Sequence, residues 1–122
     1  MINLQKRIQS FKYAFNGIYL FIKNEVHAKI HVCIAIMAIL LGLVVKINYL
    51  EWIVLLLLIG FVISAEVINS AIENLADYVS PQKHQLIRKV KDLAAGAVLI
   101  SAIIALIIGI IIFTPKILQL WH

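Results

Sequence analysis

The chain has 122 residues, 63% of them hydrophobic and 14% charged, with a formal net charge of +5 and a mean hydropathy of +1.01. A single domain of this length buries too small a share of its surface to hide that much apolar area from water, which excludes an ordinary soluble domain and makes lipid the main solvent. Two prolines and five glycines favour helices over a membrane barrel, and no aromatic residues interleave with the basic ones as a nucleic-acid partner would require.

Residues 2–23 predict an amphipathic helix. Ile8, Phe11, Phe15, Ile18 and Ile22 recur at spacings of three and four, while Lys6, Gln9, Asn16 and Lys23 fall elsewhere around the wheel. A helix of this kind lies in the headgroup plane with its apolar face down; the alternative is a soluble helix packed on the rest of the protein. An apolar stretch over residues 30–45 follows, bounded by Lys29 and Lys46 and lengthened by Val26, Ala28 and snorkelling lysines into a first span at 28–46. Cys33, the lone cysteine, lies in this run, where it is expected to be a small buried hydrophobe. A second span runs over 52–79, from Trp52 to the stop at Ser80-Pro81. The third, 93–114, carries no charge, and Pro115 is expected to close it. The expected fold is therefore one all-α membrane domain, with a surface helix and three transmembrane helices.

Lys6, Arg7, Lys12, Lys23 and Lys29 precede the first span, and Lys83, Arg88, Lys89 and Lys91 lie between the second and third. Only Lys46 and Lys116 fall on the other side. The positive-inside rule then puts the N-terminus and the 80–92 loop in the cytoplasm, with the 47–50 turn and the C-terminus outside.

Glu51 reads as a solvated helix start at the outer turn. The other five acids, Glu25, Glu66, Glu73, Asp77 and Asp92, map to the cytoplasmic half or edge. Glu66, Asn69, Glu73 and Asp77 are spaced 3, 4 and 4, which places them on one narrow helical stripe with Ser70 beside it. An ionisable group inside an apolar span costs about 2.5–3.5 kcal/mol on insertion scales and so marks a functional site by default. A carboxylate that only bonds a neighbouring helix, or stays protonated and inert, is the competing reading of Glu66. Magnesium takes hard oxygen ligands, commonly one or two carboxylates plus substrate phosphates, and Glu25 and Glu73 sit near the interface where ATP can reach them. Glu66, deeper, can meet a lipid hydroxyl and act as general base. Lys91 can neutralise phosphate charge, with Asp92 beside it to orient the amine; ordinary interfacial charge is the alternative for that pair.

No GxxxxGK[ST] loop and no GxGxxG stands in the sequence, so no familiar nucleotide cradle is present. Among the histidines, His27 and His31 share a helix face at i, i+4, a geometry zinc sites use, but no third ligand accompanies them.

AEVINSAIENLADYVSP at residues 65–81, followed by KDLAAGAVL at 91–99, resembles the signature of the prokaryotic diacylglycerol kinase family. NEVHAKIH at 24–31 and Glu51-Trp52 also fit it. The resemblance covers essentially the whole chain in order. It implies a homotrimer of three-span protomers in the bacterial cytoplasmic (inner) membrane, with active sites shared between neighbours. Glu66 would be the general base, and Asn69 would support it. Glu25 and Glu73 would bind the Mg2+ that accompanies ATP. Lys91 and Asp92 would contact nucleotide phosphates, joined by Asp77, by Lys6 and Tyr13 on the surface helix, and by Gln82, Lys83 and His84 in the loop. Lys6 stands where some members carry arginine, and Lys83 where an aromatic residue is common. The family phosphorylates diacylglycerol or undecaprenol, and the Ala94-Ala95-Gly96 run and Ser80-Pro81 ending look more like the undecaprenol branch. A small oligomeric transporter or proton relay using Glu66 is the alternative from another class, and a catalytically dead assembly subunit is a third.

Overall fold

A computed structural model of the chain describes residues 3–121, so the first residue of the expected surface helix, Ile2, and the histidine at 122 lie outside the described residues. Four helices follow one another: α1 Leu4–Asn24, α2 Val26–Val45, α3 Tyr49–Val79 and α4 Gln85–Leu120. The last three are each long and apolar enough to cross a membrane.

Local chemistry sets the ends. Asn3 caps α1, its side-chain oxygen accepting from the backbone N–H groups of Gln5 at 3.1 Å and Lys6 at 3.4 Å. Only one extended residue, Glu25 (φ −105°, ψ 122°), separates α1 from α2. The turn between α2 and α3 uses Lys46 in the left-handed region (φ 56°), and the Ile47 N–H donates back to the Gly42 carbonyl at 3.1 Å, a Schellman-type closure. Gly42 leaves room there for the Trp52 ring. A Cβ on it would stand 3.0 Å from Trp52 Cη2 and 3.1 Å from Ile47 Cδ1. Asn48 and Glu51 then form a reciprocal capping box at 2.9 Å in both directions. Ser80, held extended before Pro81, ends α3, and His84 opens α4 by accepting from the Leu86 N–H at 3.1 Å.

Three expectations change. Residues 85–92 are helix and not loop, because the His84 cap starts α4 eight residues before the apolar run. The connection is therefore only 80–84. Pro115 does not close the third span, since α4 continues through it to Leu120. Proline forfeits one backbone hydrogen bond, whereas ending a helix there would expose several backbone groups to an apolar solvent. Cys33 is exposed rather than buried, because most apolar side chains of the spans face outward, as Leu57 (68%) and Ile111 (65%) do.

α3 and α4 pack antiparallel along their length, α2 lies against both, and α1 touches α2 and α3 but not α4. The buried cluster of Val45, Ile47, Leu55 and Ile112, with Trp52 and Phe113 against it, sits at the 46–48 turn. Glu51, expected to be merely solvated, also lies 3.6 Å from Lys116 there. Tight apolar packing thus holds the end of the bundle away from the acidic stripe.

Candidate functional site

Near its middle, α3 presents Glu66 among apolar neighbours with 9% of its surface exposed. His31 of α2 reaches it, Nε2 to Oε1, at 2.9 Å. One turn along, the Ser70 hydroxyl donates to Glu25 Oε1 at 2.7 Å, bringing the α1–α2 junction onto the same stripe. Between them Asn69 Oδ1 is buried without a hydrogen-bond partner among the described residues. Glu73, the next turn out, is exposed. The structure therefore gathers Glu66, Asn69, Ser70 and Glu25, with Glu73 continuing the row.

Glu25 and Glu73 flank Ser70 on this face, which suits a cation satisfied by two hard oxygen donors and phosphate oxygens. Among the described residues no group of three or more His, Cys, Asp or Glu side chains could hold a metal by itself.

Beyond Glu73, Asp77 accepts a short contact from the Lys91 amine of α4. Asp92 does not orient Lys91. Neighbours on a helix point about 100° apart, and Asp92 instead pairs with Arg88 one turn back at 2.9 Å. Asp77, Gln82, Lys83, His84 and Lys91 line one open cleft of about 490 Å³ around the 80–84 connection. Here His84 also serves its own helix as cap. Lys6 and Tyr13 are exposed on α1, where the Gln9 amide donates to the Tyr13 hydroxyl at 3.2 Å. Neither residue lines the cleft.

Reading the sequence weighed His31 only beside His27 as a zinc ligand and missed its pairing with Glu66. The 46–48 turn sets Gly42 against Trp52, and the same antiparallel register sets Glu25 against Ser70. Continued inward, it puts Glu66 opposite residues near 30, where Lys29 and His31 are the polar side chains and His31 is the one that reaches it. His31 also lines an apolar groove of about 530 Å³ between α2, α3 and α4 that extends toward Phe113.

Comparison with known proteins matches residues 12–113 to the prokaryotic diacylglycerol kinase family model. The chain is 37% identical over 113 residues to the undecaprenol kinase of Bacillus subtilis, covering 93% of this chain and 92% of that one. It is 32% identical to the diacylglycerol kinase of Synechocystis, over 91% of this chain and 64% of that longer protein. With the diacylglycerol kinase of Escherichia coli K12 it shares 26% identity over 82% of each chain. A buried carboxylate on an apolar helix long enough to span a membrane, further carboxylates along the same face and a basic cleft at that end accompany that match. The chain belongs to the prokaryotic diacylglycerol kinase family.

Proposed function

We propose that the chain transfers the γ-phosphoryl group of Mg-ATP to the hydroxyl of undecaprenol at the cytoplasmic face of the bacterial cell membrane, as a homotrimer with shared active sites. The observation that carries the chemistry is the buried Glu66, placed below Glu25 and Ser70. Similarity along nearly the full length to an undecaprenol kinase supports the choice of lipid. Diacylglycerol is the second reading, favoured by the Synechocystis relative. The matched family is one of kinases, and a transporter or proton relay built on Glu66 finds no support in it.

Geometry along α3 supports the depth. Its 31 residues reach about 46 Å at 1.5 Å per residue, well beyond a hydrocarbon core of about 30 Å. With its capped start at the outer surface, Glu66 falls near the inner edge of the core while Glu73 and Asp77 pass into the headgroups. α1, exposed except at Phe21, would lie on that surface with its apolar stripe in lipid.

In this reading the lipid hydroxyl gives its proton to Glu66 as its oxygen attacks the γ-phosphorus in line. The bond from the γ-phosphorus to the bridging oxygen breaks, and ADP leaves with that electron pair. Asn69 offers its unpartnered oxygen to the substrates. Glu25 and Glu73 would hold the magnesium ion, which neutralises phosphate charge when bound. Lys91, released from Asp77, and Gln82, Lys83 and His84 would receive the phosphates, while Asp92 acts through Arg88. Lys6 and Tyr13, which do not line the cleft of their own chain, would reach the nucleotide of an adjoining protomer. Catalysis is then mainly positioning and charge neutralisation.

Phosphate transfer from labelled ATP by purified protein in mixed micelles tests this, with undecaprenol and diacylglycerol offered separately. Magnesium-dependent labelling of undecaprenol, lost in Glu66→Gln, is the expected result. Labelling of diacylglycerol alone would move the substrate to the second reading, and labelling of neither by folded trimer would end the kinase reading.

A further inference from the structure

We propose that His31 is the positioning residue of Glu66: its Nε2–H, donated to Oε1, holds the carboxylate so that Oε2 faces the incoming lipid hydroxyl. This role rests on Glu66 acting as the base proposed above.

Three observations lead to it. The imidazole stands 2.9 Å from the carboxylate, and among the described residues no other side chain bonds Glu66. Glu66 is 9% exposed, so its one partner decides how it points; a terminal carboxyl torsion is otherwise broad and weakly defined. His31 also lines the apolar groove between α2, α3 and α4 and is the sole titratable side chain there. A histidine that only filled the core would have no reason to stand between a carboxylate and an open lipid-facing groove.

The two helices fix this geometry from both sides. Towards the cytoplasmic end, Ser70 binds Glu25 at 2.7 Å. Towards the outer end, Gly42 admits the Trp52 ring. His31 lies between these two points of contact, so neither it nor Glu66 can slide along its helix without breaking one of them.

The test compares His31→Leu and His31→Gln, each alone and with Glu66→Gln, in purified protein that also gives a thermal unfolding midpoint. Turnover with lipid and the KM for Mg-ATP are measured for each. His31→Leu is expected to lower kcat about 100-fold, the scale on which a misplaced reacting group costs, with the KM for Mg-ATP unchanged. His31→Gln, which keeps an N–H donor, is expected to recover at least a third of wild-type turnover. In the Glu66→Gln chain, His31→Leu should cost nothing further, because the two residues act as one unit. Wild-type kcat in His31→Leu, or losses that add in the double variant and follow the unfolding midpoint, would overturn the positioning role. If wild-type protein labels no lipid, the kinase reading falls first, and that outcome is visible before any His31 variant is compared.

Discussion

Ser70 donates its hydroxyl to Glu25 at 2.7 Å, and this contact ties the one-residue joint between α1 and α2 to the centre of α3. Ser70 is the hydroxyl on the stripe best placed to act as a relay nucleophile, and it is already committed to orienting a carboxylate. Ser70→Ala should therefore keep turnover while raising the KM for Mg-ATP by about tenfold, in line with the worth of a hydrogen bond to a charged group. Intact-mass measurement during turnover should show no phosphorylated protein. Abolished turnover with ATP binding intact would call for a covalent relay through Ser70.

Glu66→Gln preserves volume and one hydrogen-bonding oxygen but removes the proton acceptor. It should lower kcat by about 10²–10⁴, the usual contribution of a general base, with little change in nucleotide affinity. Glu73→Gln should behave differently, raising the magnesium concentration needed for half-maximal rate, and a chelator should abolish labelling in the wild type. A magnesium titration of each variant separates the two roles.

Lys91 and Asp77 form an ion pair in which the aspartate side chain is 62% exposed. Water screens such a pair, which contributes at most about 1 kcal/mol to stability. Lys91→Met should thus move the unfolding midpoint little, yet raise the KM for Mg-ATP by about tenfold or more, because a charge-assisted contact to phosphate is lost. A fall in stability with unchanged KM would assign Lys91 to the fold alone.

Gly42→Ala would push a methyl against Trp52 and Ile47 at 3.0–3.1 Å. Both side chains must give by a few tenths of an ångström, and the indole moves only as a whole, so the 46–48 turn should lose about 1–3 kcal/mol. Thermal unfolding followed by Trp52 fluorescence, with Trp121 replaced by Phe in both chains, measures this. Residual activity at low temperature should be near normal, because the damage lies at the end of the bundle opposite the acids.

Much of this arrangement was legible in the residues, because a helical period of 3.6 and a lipid solvent leave few choices. The row from Glu66 to Asp77 on one face follows from spacing alone, as does the stop at Ser80-Pro81. What escaped depended on relations between helices. Lys91 faces Asp77 and not Asp92 because residues 85–92 are helical, and that hinges on a histidine cap which hydropathy does not register. The continuation of α4 through Pro115 reflects the high cost of bare backbone in lipid, a cost that rules drawn from water-soluble helices omit. His31 was hidden because only the register of α2 against α3 reveals what it touches.

Those registers have a consequence for insertions and deletions. Glu51 meets Lys116 at one end of the α3–α4 hairpin, and Asp77 meets Lys91 at the other, so the two pairs mark the register of the helices like the first and last rungs of a ladder. Dropping one residue between 51 and 77 would turn everything beyond it by about 100° and shift it by about 1.5 Å. The acids beyond the deletion would then leave their face while the 46–48 turn stayed in place. Within α3, change by substitution keeps these pairings, whereas a change in length breaks one of them.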